Sequence, residues 1–259
     1  MTTHNSKVRV EKLRLDRLLV EQALVPSRER AQALILAGRV LVNEQKVEKP
    51  GTAIPVDAVI RLLGDENPYV SRGGLKLARA LEYWQISLTG RDCLDVGAST
   101  GGFTDCMLQH GAKSVLAVDT GYGQIAAQFR TDPRVSLMER TNARKLSPGE
   151  LPAKITFLAM DVSFISATLV LPPVLAAAAG LVEAVLLVKP QFEVGRERIG
   201  KGGIVRDAVA QQFAVDRVLN CLLELGAKVD PVIESPILGA EGNREFLLHA
   251  RFPARQANS

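Results

Sequence analysis

The segment CLDVGASTGGFTDCMLQHGAKSVLAVD, residues 93–119, constrains the chain more than any other. Apolar Cys93, Leu94 and Val96 flank Asp95, a glycine-rich turn leads into an apolar-periodic helix, and Val115 to Val118 form a second strand ending at Asp119. That order is a β-loop-α-β unit, the opening of an α/β sheet with a ligand crevice at its carboxyl edge. Gly97, Gly101 and Gly102 let the backbone approach a ligand closely, and an acid closing the second strand can accept hydrogen bonds from ribose hydroxyls.

Two ligand classes compete for such a unit. A dinucleotide fold wants G-x-G-x-x-G to seat a pyrophosphate on the helix N-terminus, and in GASTGG the middle glycine is replaced by Ser99. S-adenosylmethionine has no pyrophosphate to cradle and instead suits an acid ahead of the loop, which Asp95 supplies. The departure at Ser99 favours the methyl donor, but a glycine loop is weak ground, and the downstream segments decide by position. Asn142, in ERTNARKL, follows the third expected strand, where an amide can read an adenine edge. FLAMDVSFIS places Asp161 at a strand's carboxyl end, and VLLVKPQFE does the same for Lys189. In PVIESPILGAEGNREFLLHA, Glu245 follows the Gly242-Asn243 turn and opens the final strand. The candidate cofactor-binding set is Asp95, Gly97, Ser99, Thr100, Gly101, Gly102, Phe103, Asp119, Asn142 and Asp161, with Phe103 and Thr104 expected chiefly to pack the helix start.

The 259 residues suit one domain of about 180 residues and a smaller companion. Charge separates them. Residues 1–80 carry 14 Lys and Arg against 9 Asp and Glu, a net of +5, and the remainder carries 18 against 19. A basic front unit suits a polyanion such as RNA, DNA or an anionic surface. Within it, EKLRLDRLLVEQALV sets Leu15, Leu18, Leu19 and Ala23 on one helical face, with a stop expected at Pro26. Ser27 can cap a second helix, RERAQALILA, and Gly38 ends it as a left-handed residue. Short strands are expected around VLVN and VIRLL, with a turn at Lys49, Pro50 and Gly51. The sequence RLDRLLVEQALVPSRERAQALILAGRVLVNEQKV resembles the S4 RNA-binding domain over about residues 13–63. The resemblance implies that Arg14, Arg17, Arg28, Arg30 and Arg39 contact RNA phosphates.

Cys93, Cys106 and Cys221 form no CxxC pair and His4, His110 and His249 are scattered, so neither a disulfide framework nor a metal site is expected. The reducing cytoplasm fits this usage. The opening residues MTTHNSKVRVEK have no apolar core and are not expected to be a signal peptide. The apolar run from Ala167 to Val188 approaches the length of a membrane span, but Pro172, Pro173, Gly180 and Glu183 are expected to break it into a buried helix and a central strand.

SRGGLKL, LDVGASTGGFTD, DVSFIS, LVKPQFE, GKGGIVRD and EGNREFLLH together resemble the TlyA family, which joins an S4 domain to a catalytic domain similar to FtsJ-type RNA 2′-O-methyltransferases. The resemblance implies a Rossmann-like S-adenosylmethionine-dependent α/β methyltransferase domain behind a small α+β S4 domain. It also implies that the family's Lys-Asp-Lys-Glu tetrad falls on Lys76, Asp161, Lys189 and Glu245. With Lys76 in the active site, the boundary falls before it, giving domains 1–66 and 67–259. Gly73 and Gly74 are then expected to turn the backbone tightly enough to deliver Lys76, Arg72 is a candidate RNA contact, and Arg196, Lys201 and the GKGG segment read as a mobile substrate-facing loop.

Methyl transfer to a ribose hydroxyl is an in-line displacement in which the 2′-OH must lose its proton. Lys189 is expected to act on that oxygen as base or stabiliser, oriented by Asp161, with Lys76 and Glu245 completing the cluster. Since the 2′-OH distinguishes RNA from DNA, the partner is structured RNA rather than DNA, and the resemblance narrows it to a cytidine in ribosomal RNA of the large subunit or of both subunits. The short tail FPARQANS leans toward the large subunit. No membrane partner is expected, and the sequence leaves the oligomeric state open, a monomer included.

Three rival readings remain at the level of sequence. The family also carries the name hemolysin, which would make the protein membrane-active. Pseudouridine synthases often carry S4 domains, but here Arg14-Leu15-Asp16 lies inside the S4 helix and no catalytic domain of that type follows. A degenerate methyltransferase fold that only binds RNA is the third.

Overall fold

The structure, a computed structural model, describes residues 11–63, 67–239 and 241–253; His4, the boundary residues 64–66 and the tail from 254 onward lie outside them. The chain divides into two compact units, Met1–Glu66 and Asn67–Ser259.

In the front unit a short strand β1 (Lys12–Arg14) runs into α1 (Leu15–Glu21), and α2 (Arg28–Leu36) packs against it. The strands β2 (Val40–Val42), β3 (Gln45–Lys46) and β5 (Ile60–Leu62) form one antiparallel sheet, and β4 (Ala53–Pro55) pairs with β1. Leu15, Leu18, Leu19, Ala31, Ile35, Val40 and Ile54 make the core. The Ser27 hydroxyl caps α2 by accepting the Arg30 N–H at 3.3 Å, and Gly38 takes φ +66° after it, both as expected. α1 differs from its expected extent. It ends at Glu21, and Ala23, assigned to the apolar face, is exposed at φ +53°. The chain reverses there, several residues before Pro26, because Leu24 N–H closes the helix end on the Leu19 carbonyl at 2.9 Å.

Asp16 is wholly buried at the start of α1. Its carboxylate accepts bonds from Arg14 (3.0 and 3.1 Å), Arg28 (2.9 Å) and Gln32 (3.0 Å). The Arg14 guanidinium, with help from Gln32 and Arg28, holds this carboxyl well below the usual range despite burial.

The second unit holds an eight-stranded mixed sheet among the described residues. Its strands are β6 (Asp92–Val96), β7 (Ser114–Val118), β8 (Val135–Met138), β9 (Ile155–Met160), β10 (Glu183–Val188), β11 (Lys228–Val229), β12 (Ile233–Glu234) and β13 (Phe246–Arg251). The order is β11-β13-β10-β9-β6-β7-β8, with β12 also paired to β13. The chain builds outward from β6 through β7 to β8, then returns to the other side of β6 for β9 and β10, all parallel. β13 then inserts antiparallel to β10. Strand order therefore reverses between β6 and β9, and an open α/β sheet binds ligands outside the carboxyl ends at such a point.

β6, β9 and β10 are buried almost throughout, as parallel strands covered on both faces must be. Leu94, Val96, Leu158, Met160, Leu186 and Val188 point to one core beneath α6 (Ala167–Ala177) and α8 (Ala208–Glu224). Cys93, Phe157, Ala159, Val185 and Leu187 point to the other, beneath α3 (Gly73–Tyr83) and α4 (Gly102–Gln109). Two short helices, α5 (Ala127–Thr131) and α7 (Pro190–Glu193), complete the set. The apolar run divides as expected into the helix α6 and the strand β10, but the break falls after Ala177 rather than at Pro172 and Pro173. Both lie inside α6, and the Thr168 carbonyl, which would bond an ordinary N–H at 172, faces the Cys221 thiol at 3.9 Å instead. Among the described residues no helix is long and apolar enough to cross a membrane.

Gly73 and Gly74 also differ from expectation, because both lie in the first turn of α3 and neither takes positive φ. Their role is proximity. A Cβ on Gly74 would lie 2.2 Å from Cγ of Tyr69, and one on Gly102 would lie 2.2 Å from the Ser71 Oγ and 3.0 Å from the Gly74 nitrogen. Asp105 on α4 accepts the Val70 N–H at 2.8 Å, so the segment ahead of α3 is held against α4 and aims Lys76 at the sheet edge.

A carboxyl with a depressed folded pKa stabilises above its unfolded value near pH 4 and loses that contribution as pH falls further. Asp16→Asn should therefore lower hydrogen-exchange stability of the α1 and β4 amides by about 2 kcal/mol at pH 7, and the gap to wild type should close below about pH 4.

Candidate active site

Each carboxyl-edge residue owes its place to local chain chemistry. Lys189 precedes a proline, which disfavours helical backbone at that residue; it stays extended at φ −110°, ψ 103° while Pro190 opens α7. Asp161 follows β9 directly, with its N–H on the Val96 carbonyl at 2.9 Å. Gly97, at φ +88°, admits that approach, since a Cβ there would sit 2.3 Å from the Asp161 carbonyl oxygen. Glu245 stands immediately ahead of β13, and Gly239 leaves room for its carboxylate, where a Cβ would lie 2.4 Å from Oε1.

The four residues line one cleft of about 260 Å³ as two ion pairs. Lys76 Nζ lies 2.5 Å from Glu245 Oε2, and Lys189 Nζ lies 2.6 Å from Asp161 Oδ1. Lys189 also donates to Ser163 Oγ at 2.7 Å. Glu245 is 2% exposed, so Lys76 is needed opposite it; an unpaired carboxylate at that depth would be strongly unfavourable. Thr100, Gly102, Phe103 and the exposed Arg72 line the same cleft.

A second cleft of about 410 Å³ meets the first at Gly97, Ser99 and Asp161. Its wall includes Asp119, Thr120, Gln124, Asn142 and Ser163. Asp119 accepts the Ser99 N–H at 2.8 Å and the Gly121 N–H at 2.7 Å, which fixes the glycine loop to the end of β7. Asn142 spends its carbonyl on the Arg144 N–H at 3.1 Å and lies exposed at the cleft wall.

Two candidates do not reach either wall. Gly101 begins α4 at φ +95°, where a Cβ would meet the Phe129 ring at 2.8 Å. Asp95 is fully buried on the α4 side of the sheet, one oxygen accepting the Thr104 hydroxyl at 2.6 Å and the other without a hydrogen-bond partner. Burial pushes its carboxyl up to about 7, and Asp161 and Asp119 add to the effect. Phe103 is 3% exposed and belongs to the core, as expected of a residue packing the helix start.

Sequence reasoning missed Ser163, Gln124 and Phe164. The first sits two residues beyond Asp161 in DVSFIS, and a search for hydroxyls next to strand-end acids would have found it. Phe164 is 92% exposed at φ +64°, a conformation bulky residues rarely adopt, and no sequence pattern signals it. The sequence marks Asn243 only as part of the Gly242-Asn243 turn. It is 1% exposed, and its amide accepts the Val205 N–H and donates to the Gly203 carbonyl, both at 2.9 Å. The glycine-rich loop carrying exposed Arg196 and Lys201 is thereby anchored to the turn ahead of Glu245.

The front unit's five candidate arginines are all exposed. Arg14 and Arg28 are turned onto Asp16, and Arg17 lies 3.8 Å from Glu21.

A carboxyl raised in the folded state stabilises fully below about pH 4 and loses that contribution as pH rises through about 7. Asp95→Asn mimics the neutral form, so its melting temperature relative to wild type should rise by roughly 5 °C between pH 5 and pH 8.

The FtsJ-like methyltransferase model matches residues 69–252, and the S4 domain model matches residues 13–60. The 16S/23S rRNA (cytidine-2′-O)-methyltransferase TlyA of Mycobacterium tuberculosis is 43% identical over 95% of this chain and 92% of its own. A solved Streptococcus thermophilus structure that carries a hemolysin name is 41% identical, with a TM-score of 0.70 over 96% of this chain and 92% of its own. An S-adenosylmethionine-dependent methyltransferase from Mesorhizobium loti shares the fold, with a TM-score of 0.50 at 16% identity over 67% of this chain and 96% of its own. The strand order, the paired-ion cleft at the β6–β9 switch and these matches agree: the chain belongs to the FtsJ-like methyltransferase family, as a TlyA-type member that joins an S4 domain to the methyltransferase fold.

Proposed function

We propose that the protein methylates the ribose 2′-oxygen of a cytidine in ribosomal RNA, using S-adenosylmethionine. The observation that carries this reading is the cluster of Lys76, Asp161, Lys189 and Glu245 in one cleft, joined at Asp161 to a second cleft of about 410 Å³. That volume suits a small-molecule cofactor. The lining fits a sulfonium nucleoside: backbone at Gly97, hydroxyls and amides at Thr120, Gln124, Thr141 and Asn142, and acids at Asp119 and Asp161. Asp95, buried behind the loop, lines neither cleft and acts by holding Thr104 at the start of α4. When bound, S-adenosylmethionine supplies an electrophilic methyl carbon whose bonding pair leaves with sulfur.

The smaller cleft receives the nucleotide. Lys189 acts on the 2′-oxygen, taking its proton as the neutral amine or stabilising the oxygen as the ammonium, and Asp161 and Ser163 hold its Nζ in place. Lys76 and Glu245, paired at 2.5 Å, complete the cluster and keep the cleft polar. As the new O–CH₃ bond forms, the 2′-OH proton passes to this cluster. Residues 1–66 act as the RNA-capturing domain through Arg14, Arg17, Arg28, Arg30 and Arg39, residues 67–259 as the catalytic domain, and Arg72 as a cation at the cleft mouth. The family match and the S4 match support ribosomal RNA, in the cytoplasm, as the partner.

Mapping 2′-O-methyl groups in ribosomal RNA with and without the protein identifies the target. Lys189→Ala should lower the methylation rate by about 100- to 10 000-fold with S-adenosylmethionine affinity nearly unchanged. Substantial residual methylation would defeat the assignment of Lys189. Leakage from liposomes caused equally by Lys189→Ala and wild type would favour the hemolysin reading instead.

A further inference from the structure

The clefts account for the carboxyl-edge residues but leave the buried acid Glu193 unused. Glu193, the last residue of α7, is 2% exposed, one helical turn after Lys189. It points to the start of α6, where its Oε2 accepts the Ser166 hydroxyl at 2.5 Å and its Oε1 accepts the Ala167 N–H at 2.7 Å. Ser166 in turn caps α6 by accepting the Thr168 N–H at 3.3 Å. Arg217 on α8 donates to the Glu193 carbonyl at 2.8 Å and stands 4.0 Å from its carboxylate.

Two chain segments leave adjacent parallel strands here. One runs from Asp161 through Ser163 to Ser166, the other from Lys189 to Glu193. They are tied three times in sequence. Lys189 meets Asp161 and Ser163 at the near end, the Phe164 and Phe192 rings lie 5.2 Å apart in the middle, and Glu193 meets Ser166 and Ala167 at the far end. The far tie is the only one of the three made by a carboxylate on a backbone N–H at a helix start, a charge-assisted bond favoured by the helix dipole. Its burial makes the geometry rigid, because neither carboxylate oxygen has solvent as an alternative partner.

We propose that Glu193 is a positioning residue for methyl transfer: by tying α7 to the N-terminus of α6 it fixes the separation of the Lys189 and Asp161 segments, and so holds the Lys189 ammonium on the nucleophilic oxygen. The inference rests on the functional reading above. Small displacements of a reacting group cost rate steeply, so loss of the tie acts on the chemical step rather than on binding.

Single-turnover methylation of ribosomal RNA, with saturating S-adenosylmethionine, separates the possibilities, since its amplitude reports the competent fraction and its rate constant reports the arrangement. Glu193→Ala should lower the rate constant by about 10- to 100-fold, with S-adenosylmethionine and RNA affinities within about twofold. Glu193→Gln keeps an acceptor for the Ala167 N–H and should recover most of the rate, while Ser166→Ala should lower it severalfold and be non-additive with Glu193→Ala. If Glu193→Ala does not fold, the Gln and Ser166 variants carry the test. Reduced amplitude or melting temperature with an unchanged rate constant, or weaker binding alone, would overturn the proposal and leave Glu193 a purely structural residue. A wild-type chain that transfers no methyl overturns the functional reading and this inference with it; transfer by wild type with an unchanged Glu193 variant overturns the inference alone.

Discussion

The contact on which the site depends is between two pieces of backbone. Gly97 and Asp161 leave neighbouring strands, β6 and β9, at the point where the strand order reverses, and their main chains come so close that no side chain fits at position 97. Everything functional is arranged around that contact. On one side the glycine loop is pinned by Asp119; on the other the Asp161 segment turns toward Lys189. The two clefts meet there, with Gly97, Ser99 and Asp161 lining both.

The polar cluster beside this contact is a set of charges that would be unfavourable singly. Partly desolvated lysines and carboxylates are tolerated when paired at hydrogen-bond distance, and each of the two pairs is made across elements remote in sequence. Lys76 comes from α3 and Glu245 stands immediately ahead of the last strand, so that pair forms only when β13 has inserted beside β10. Correct assembly of the sheet and assembly of the cleft are therefore one event. Asn243 extends the coupling to the glycine-rich loop, whose end is bonded to the same turn.

Much of this was legible in the sequence, for identifiable reasons. Strand-end residues such as Asp161 and Lys189 follow runs of buried aliphatics, and a single-residue step from strand to polar group fixes their edge of the sheet. The S4 helices announced themselves through Ser27 and Gly38, where capping and left-handed backbone have strong residue preferences. What was hidden depends on three-dimensional proximity. The pair Gly73-Gly74 looked like a turn because glycine is permissive, whereas the requirement at Gly74 is space for Tyr69. Asp95 looked like a ligand residue because of its place before the loop, but strand alternation sends it to the α4 side, onto Thr104. Glu193 and Asn243 gave no signal because buried polar anchors are defined by partners far along the chain.

The knot around Asp16 bears on how the front unit meets a polyanion. Formal charge counts Arg14 and Arg28 as two free cations, yet both already face a buried carboxylate. A cation closed on an internal anion displaces fewer counterions when a phosphate arrives, and the salt dependence of nucleic-acid binding measures that displacement. The front unit's electrostatic reach is thus shorter than its arginine count implies. What Arg14 and Arg28 offer a phosphate instead is direction, since guanidiniums anchored to one buried carboxylate lose less freedom on binding than free ones would.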